Sequence, residues 1–183
     1  MKHEKSWYLK VKASECAPYV ILVGDPGRQE LFLDQMENAK QVAFEREFKT
    51  ITGYYQGTPI SVVTVGIGAP SAVLVLEELW ELGVKVVVRA GTGLSLGIPL
   101  GDFILVQAAT RNEGTSVSYL PLNFPAVPDI DLFTSFSKTL KDENAPFSSG
   151  VIMTSDGFYT ELFQHQIEGK QPARSNKILL DEY

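Results

Sequence analysis

The sequence predicts an α/β fold in which a mixed central β-sheet is flanked by helices. Three observations indicate it: short apolar runs typical of buried strands, a segment that resembles an antiparallel hairpin, and two segments with apolar residues at helical spacing. A chain of 183 residues fits one domain, and a domain of that size buries roughly 70% of the surface that its unfolded chain exposes. No repeat or interdomain linker is visible, so residues 1–183 are predicted to form a single domain.

The predicted strands are apolar runs that end at a glycine or a turn. Residues 20–23 form the first, which is expected to be buried on both faces of a parallel or mixed sheet. The hairpin occupies residues 41–65, and its turn lies at residues 56–59. Further strands are predicted at residues 84–90, in the run FILVQAA from Phe103, and within residues 150–159.

Two helices are predicted from apolar periodicity. The first begins at Pro70, because proline is favoured in the first helical turn, and ends before Gly83. The second follows Asp129 or Asp131, either of which would cap it. Residues 111–131, rich in Ser, Pro, Asn and Gly, are predicted to form a long surface loop. The apolar positions are Val73, Leu76, Leu79 and Trp80 in the first helix and Leu132, Phe133, Phe136 and Leu140 in the second.

Composition excludes several classes of protein. The chain carries 16 Lys and Arg against 22 Asp and Glu, a net charge of −6, so it should repel nucleic acid and acidic membrane surfaces. Its single cysteine, Cys16, excludes an internal disulfide and is typical of a reducing compartment. The N-terminus lacks the apolar core of a signal peptide, and no apolar run reaches the ~20 residues of a membrane helix. The sequence therefore predicts a cytoplasmic protein that binds anions only through local clusters of positive charge.

Two arginines follow predicted strands and favour such an anion site. Arg28 comes after Gly-Asp-Pro-Gly, in which Gly24 and Gly27 would let backbone N–H groups approach a phosphate. Arg89 ends the run VKVVVR before a glycine-rich loop. Open α/β sheets bind ligands at the carboxyl ends of their strands, and guanidinium groups match phosphate or sulfate bidentately. A buried Arg89 would need such an anion or, as an equal alternative, an internal carboxylate.

Arg46 is a third candidate, in the segment FEREF. Strand alternation would place Phe44, Arg46 and Phe48 on one face and the two glutamates on the other. By itself the alternation favours a guanidinium that stacks on the aromatic rings at an exposed edge over one that binds a ligand. Together with the two strand-end arginines, however, Arg46 supports a compact oxyanion site.

A different class of function is suggested by GIGAPS at residues 66–71. The segment is a degenerate dinucleotide fingerprint, with Ser71 in place of the third glycine and Arg89 available to contact the 2′-phosphate of NADP. The fingerprint is incomplete, and the GDPGR turn has no role in it. An NADP-binding oxidoreductase is thus the alternative from another class.

Six motifs occur along the chain in a family order. They are GDPGR at 24–28, REF at 46–48, GIGAPS at 66–71, EEL followed by RAGT at 77–92, FPAV at 124–127 and SDGFY at 155–159. With these motifs the chain resembles the nucleoside phosphorylase family, which includes uridine phosphorylases and the hexameric type of purine nucleoside phosphorylase. The resemblance implies a partly barrel-like sheet and a homodimer-based oligomer, a dimer or a hexamer, with active sites shared between subunits.

The resemblance also implies the reaction and its ligands. Inorganic phosphate attacks C1′ of a bound nucleoside and releases the base and ribose 1-phosphate, so phosphate is a co-substrate and no redox cofactor is needed. The positions that match phosphate-binding residues of the family are Gly24, Arg28, Arg89, Thr92 and, from a neighbouring subunit, Arg46.

Other matched positions concern the nucleoside and a cation. Phe158 would stack on the base, although an aromatic residue after a strand is as often part of the core. Glu47 and Ser71 match positions that bind a monovalent cation in uridine phosphorylases, although a solvated charge is the favoured interpretation of Glu47. No cluster of transition-metal ligands is visible.

The chain departs from the family pattern in three places. Tyr8 stands where the family carries a histidine that reaches the ribose 5′-hydroxyl of a neighbour. Gln164 is a poor substitute for the Gln and Arg by which uridine phosphorylases bind uracil, which slightly favours purine nucleosides over uridine. The chain ends at Tyr183, before the family's Glu-Met-Glu motif for ribose and its purine-side Asp, so it is expected to lack a C-terminal part. A non-catalytic phosphate- or nucleoside-binding module is therefore a further alternative.

Overall fold

The structure, a computed structural model, describes residues 4–95 and 97–159. The chain divides into two compact units, Met1–Leu94 and Ser95–Tyr183. Each unit is α/β. The prediction that the chain forms one domain stays a prediction.

The first unit is built on a five-stranded mixed sheet with strand order β2-β3-β4-β1-β5. Strand β1 pairs in parallel with β4 and β5, whereas β2, β3 and β4 pair antiparallel. The predicted mixed sheet is thus confirmed. The strands are β1 Tyr19–Val23, β2 Glu37–Glu45, β3 Phe48–Tyr55, β4 Thr58–Thr64 and β5 Val86–Arg89; the helices are α1 Glu30–Leu33 and α2 Ala69–Glu81, with short 3-10 helices at Ala13–Glu15 and Pro26–Gln29.

The core of this unit lies on both faces of β1. On one face, Val20 and Leu22 belong to the same apolar cluster as Val75 and Leu79 of α2. On the other face, Val23 packs with residues of β3 and β4 and with partly buried side chains of α1. The expectation that residues 20–23 are buried on both faces is therefore confirmed, and β1 contributes to both apolar clusters of the unit.

The predicted hairpin is two hairpins. Glu45 pairs with Phe48, so Arg46 and Glu47 form a two-residue turn between β2 and β3. Arg46 has φ 56°, a conformation that strands do not use, and the two phenylalanines differ in burial, with Phe48 3% and Phe44 53% exposed. The predicted strand alternation through FEREF is thus wrong, because the chain reverses at its centre. The turn predicted at residues 56–59 is confirmed in part: Gln56 and Gly57 form it, both with positive φ as a tight hairpin turn requires, whereas Thr58 and Pro59 already belong to β4.

Helix α2 has Pro70 in its first turn, as predicted, but only part of its predicted apolar set is buried. Val75 and Leu79 are buried, whereas Trp80 is 80% exposed and Leu76 is exposed as well. Apolar residues occupy so wide an arc of this helix that their spacing is compatible with more than one buried face. The neighbouring strands decide which face packs.

The second unit contains a parallel strand pair, β6 Phe103–Asn112 and β7 Phe147–Ser155, connected through α3 Ile130–Asp142. Asp129 caps α3, because its carboxylate accepts the backbone N–H groups of Asp131 and Leu132, each at 3.0 Å. The predicted helix is confirmed. Strand β7 begins three residues before the predicted Gly150, and β6 extends into the start of the predicted loop.

The predicted surface loop between β6 and α3 contains a short 3-10 helix at Ser116–Ser118 and is otherwise irregular and mostly exposed. None of the helices in residues 4–95 and 97–159 is long and apolar enough to cross a bilayer.

Truncation of two adjacent residues of α2, one buried and one exposed, should affect the free energy of unfolding by very different amounts. Leu79→Ala removes a side chain that is 1% exposed and should lower the free energy of unfolding by about 2–5 kcal/mol. Trp80→Ala removes a larger side chain from the exposed face and should change it by less than about 0.5 kcal/mol. Urea unfolding of both variants tests the packing, and a larger loss for Trp80→Ala would contradict it.

Candidate functional site

Three strands of the first unit end side by side. The parallel register pairs Val23 with Thr64 and Leu22 with Arg89. Beyond these pairs, the N–H of Val65 donates to Val23 O and the N–H of Ala90 donates to Leu22 O, each at 2.9 Å. The segments that follow β4, β1 and β5 therefore start from one edge of the sheet, where ligands of open α/β sheets bind.

The turn after β1 presents Arg28. Asp25 Oδ1 accepts the N–H of Gly27 at 2.9 Å, and Asp25 O accepts the N–H of Arg28 at 3.1 Å. These bonds form the 3-10 turn Pro26–Gln29. From it the half-buried Arg28 reaches the segment after β5, where its Nη2 donates to Thr92 Oγ1 at 3.2 Å. The structure thus brings together two of the predicted phosphate-binding residues, which are 64 positions apart.

Arg89 folds back onto the same segment. A Cβ atom on Gly91 would lie 2.5 Å from Arg89 Nη1, so the guanidinium occupies space that the absence of a side chain at Gly91 leaves open. Sequence reasoning noted the glycine-rich loop but missed this role of Gly91. The two arginines therefore converge on Gly91 and Thr92.

Arg89 is exposed, so the expectation that it is buried is wrong for this chain. In the part of the chain that the structure describes, the ion pairs are Lys12 with Glu4 and Lys138 with Asp142. No carboxylate in that part pairs with Arg89, so the internal ion pair is not seen among the described residues, and the exposed guanidinium is accessible to solvent and to anions.

Gly24 lies at the same edge, since a Cβ atom built on it would be 3.5 Å from Gly66 O. That distance is an ordinary contact, so packing does not require glycine there. Its predicted role in phosphate binding stays a prediction.

Glu47 and Ser71 meet at Gly66. A Cβ atom on Gly66 would lie 2.9 Å from Glu47 Cγ and 3.5 Å from Ser71 Oγ. Gly66 has φ 67°, so glycine is needed there for conformation as well as for space. Ser71 Oγ donates to Val65 O. The two predicted cation ligands are therefore neighbours. Glu47 is in a turn and not on the face of a strand, and it is exposed, which agrees with its interpretation as a solvated charge.

Arg46 and Tyr8 are placed at other points of the first unit. Arg46 is exposed at the tip of the β2–β3 turn. Tyr8 is exposed, with its ring edge-on to Phe48 at 6.5 Å between centroids.

Glu78 fixes the segment that carries Tyr8. Its carboxylate accepts the N–H groups of Tyr8 and Leu9 at 2.7 and 2.8 Å. Sequence reasoning noticed this glutamate only as part of EEL and missed its function. A glutamate on a helix gives no signal that it will bind the backbone of a distant segment.

A second missed residue is Gln29, directly after the GDPGR motif. Its side chain is 0% exposed, and Nε2 donates to Lys49 O at 2.7 Å and to Val62 O at 2.8 Å. No sequence signal distinguishes this glutamine from an ordinary polar residue at the start of a helix.

In the second unit, Phe158 follows β7 and is 58% exposed, so the interpretation as a core residue does not hold among the described residues. Its ring packs edge-on against Tyr159 at 5.2 Å between centroids. Nearby, Asp156 of the SDGFY motif accepts the N–H of Gly114 at 2.9 Å, which connects the motif to the loop after β6. Gln164 lies outside the described residues.

That loop is organised by Arg111, another residue that sequence reasoning missed. Its guanidinium makes five hydrogen bonds, at 2.6 to 3.0 Å, to Ser116 Oγ and to the carbonyl groups of Ser116, Leu120, Pro121 and Phe124. A long polar loop with so many bonds to one side chain has a defined shape.

Glu113 completes the loop. Its carboxylate accepts the N–H groups of Thr115 and Ser116 at 2.6 and 2.9 Å and the hydroxyl of Ser116. Burial alone would raise the pKa of Glu113, but the bonds from Ser116 and Thr115, with a smaller effect of the Arg111 charge, leave its pKa below the usual value.

Comparison with known proteins assigns the fold and these motifs to a family. Residues 18–179 match the phosphorylase superfamily. The chain belongs to the phosphorylase superfamily. It is 33% identical over 177 residues to the uridine phosphorylase of Thermococcus kodakarensis, covering 96% of this chain and 64% of that protein. It is 35% identical over 159 residues to the guanosine phosphorylase of Halorubrum lacusprofundi, covering 86% of this chain and 66% of that protein.

A solved structure of the superfamily agrees with the fold. The purine nucleoside phosphorylase of Toxoplasma gondii, in complex with immucillin-H, superposes with a TM-score of 0.88 at 29% identity and covers 98% of this chain and 70% of its own. The chain thus spans about two thirds of the length of its superfamily relatives. Their names include uridine, guanosine and purine nucleoside phosphorylases, so the match identifies the superfamily without selecting a base.

The lowered pKa of Glu113 has a testable consequence for stability. A carboxylate with a depressed pKa stabilises the fold above its unfolded pKa of about 4.3, and this contribution is lost as pH falls through the lower folded value. Relative to Glu113→Gln, the protein should be more stable at neutral pH, and the difference should shrink below about pH 4.

Urea unfolding at a series of pH values measures this difference, with the exposed Glu143→Gln as the matched control. A difference between parent and Glu113→Gln that stays constant with pH would contradict the assignment.

Proposed function

We propose that the protein is a nucleoside phosphorylase, a pentosyl-transferring enzyme. The observation that supports this most directly is the convergence of Arg28 and Arg89 on Gly91 and Thr92, at the strand edge of a phosphorylase superfamily member. In the reaction, an oxygen of inorganic phosphate forms a bond to C1′ of the nucleoside while the bond from C1′ to the base nitrogen breaks. The base leaves with the electron pair and takes up a proton, and (deoxy)ribose 1-phosphate is the second product.

The proposed phosphate site explains how the chain would favour this reaction. Arg28 and Arg89 supply charged donors, Thr92 a hydroxyl and Gly24 a backbone N–H group. Fixed donors orient the phosphate as nucleophile, and the negative charge of the phosphate stabilises the positive charge that develops on the sugar. No redox cofactor takes part in such a reaction. The NADP interpretation of GIGAPS loses support, because the superfamily match includes this segment.

For the nucleoside, we propose contacts from Tyr8, Phe158 and Gln164. The exposed ring of Phe158 is suited to stacking on a flat base. Purine nucleosides are slightly favoured, because the chain lacks the Gln and Arg pair expected for uracil. Uridine is the second candidate, since a uridine phosphorylase is among the relatives at 33% identity.

We also propose that Arg46 completes the phosphate site of a neighbouring subunit in a homodimer-based oligomer. Its exposed position at the tip of a turn, where the guanidinium is accessible to another molecule, supports this. Light scattering gives the oligomeric state, and a monomer with full turnover would contradict the proposal.

A monovalent cation is proposed to bind at Glu47 and Ser71. Glu47 and Ser71, which lie next to each other at Gly66, supply one carboxylate and one hydroxyl, and oxygen donors of this kind suit a hard cation. The Glu47 carboxylate supplies negative charge. The Ser71 hydroxyl oxygen can coordinate the cation through a lone pair while its hydrogen is donated to Val65 O.

A substrate panel tests the proposed function. Inosine, adenosine, methylthioadenosine and uridine are each incubated with the protein, with and without inorganic phosphate, in potassium and in choline salts. We expect base release only with phosphate, fastest with a purine nucleoside, and slower in choline if the cation site operates. Release without phosphate would indicate a hydrolase, nucleoside binding without turnover would indicate a binding module, and NADPH binding unaffected by phosphate would indicate the oxidoreductase.

Arg89 should contribute strongly to the rate if it binds the nucleophile. Arg89→Ala should cost about 2–4 kcal/mol of transition-state stabilisation, roughly 30- to 1000-fold in kcat/KM for phosphate. Arg89→Lys should recover only part of the loss, because an ammonium group keeps the charge without the planar fork. The exposed Lys138→Ala, which removes the same charge from α3, is the matched control. An Arg89→Ala variant that melts early but keeps the parent's phosphate dependence would show a structural role instead.

A further inference from the structure

We propose that Gln29 is a positioning residue for phosphate, which sets the backbone of Arg28 and connects the two turns that carry the predicted anion and cation ligands. This inference rests on the proposed function, because it assigns Gln29 a role in the same site. Gln29 does not itself touch phosphate in this proposal. It acts through Arg28.

The geometry of the amide supports this role. The 3-10 turn Pro26–Gln29 is capped at its start by Asp25 and is held at its end by the buried Gln29 side chain. A primary amide has two N–H donors, and Gln29 Nε2 contacts two acceptors, Lys49 O on β3 and Val62 O on β4. Arg28 lies directly before Gln29. The turn that contains Arg28 is therefore shaped at its start by Asp25 and attached to the sheet at its end by Gln29.

The acceptors extend this connection to the Arg46–Glu47 turn. Both backbone polar groups of Lys49 take part: its N–H donates to Thr64 Oγ1 at 2.6 Å, and its carbonyl oxygen accepts from Gln29 Nε2. Thr64 Oγ1 in turn donates to Glu47 O. The turn that carries Arg28 and the turn that carries Glu47 are thus joined through Gln29, β3 and one threonine hydroxyl.

The amide of Gln29 is only partly satisfied, because its Oε1 is buried and has no hydrogen-bond partner among the described residues. An apolar side chain of similar length would remove this unsatisfied acceptor, but it would also leave Lys49 O and Val62 O without the donors that Gln29 supplies. The two directed N–H bonds are what glutamine supplies and leucine or methionine cannot, and they define a position for the turn.

The test compares Gln29→Leu with the parent by the phosphate-dependent rise in melting temperature and by steady-state kinetics. We expect phosphate to bind roughly 10- to 100-fold more weakly, since small misplacements of a positioning group have effects of that size. The KM for phosphate should rise while the KM for nucleoside stays near the parent's value. Val75→Ala, a buried truncation in α2, controls for lost stability and should lower the melting temperature without weakening phosphate binding.

A double-mutant cycle identifies the route of the effect. If Gln29 acts through Arg28, Gln29→Leu should weaken phosphate binding little further when Arg28 is already alanine. Should Gln29→Leu not fold, Gln29→Asn replaces it, because asparagine keeps the amide but is one methylene too short to reach both carbonyl groups.

Two outcomes overturn the inference, and they are distinguishable. A Gln29 variant with a lowered melting temperature but parental phosphate affinity would make the residue purely structural. A parent protein whose melting temperature does not respond to inorganic phosphate would instead overturn the proposed function, and the positioning role with it.

Discussion

The parallel pairing of β1 with β4 and β5 is the constraint on which the rest of the first unit depends. Val20, Leu22 and Val23 are buried on the two faces of β1, so both faces of this strand are covered, and in the sheet it lies between β4 and β5. Its parallel register then brings three chain segments to one edge, with hydrogen bonds at 2.9 Å continuing from Val23 and Leu22 into the segments that follow. Most of the residues proposed to bind phosphate lie at or just after the strand ends at that edge.

Several side chains hold the turns and loops of the two units in place by hydrogen bonds to the backbone. Asp25 and Gln29 hold the turn of Arg28, and Glu78 holds the segment of Tyr8 by accepting two N–H groups. In the second unit, Arg111 and Glu113 do the same for the loop connected to Asp156. Turns and loops have few apolar contacts of their own, so directed polar bonds have to define their shape.

The glycines near the site differ in what they supply. Gly91 provides space for the Arg89 guanidinium, whereas Gly66 provides both space beside Glu47 and a positive φ. Gly24 is needed for neither packing nor conformation, so its freedom would serve only a ligand that approaches the backbone closely. Glycines at one strand edge thus differ in function, and the atoms around each of them determine what the missing side chain provides.

The sequence by itself determined the class of the fold, most strands and helices, the superfamily motifs and the two strand-end arginines. These are local signals: apolar runs, helical periodicity, Pro70 at a helix start, Asp129 at a cap and the glycine turns. Tertiary structure decided what depends on distant partners. The chain reverses at Arg46 because Phe48 is taken into the core while Phe44 is not, and α2 buries Leu79 instead of Trp80 because the sheet lies against that side of an apolar helix. The roles of Gln29, Glu78 and Arg111 follow from backbone groups up to 70 positions away, and no pattern within a few residues of a polar side chain can specify such a partner.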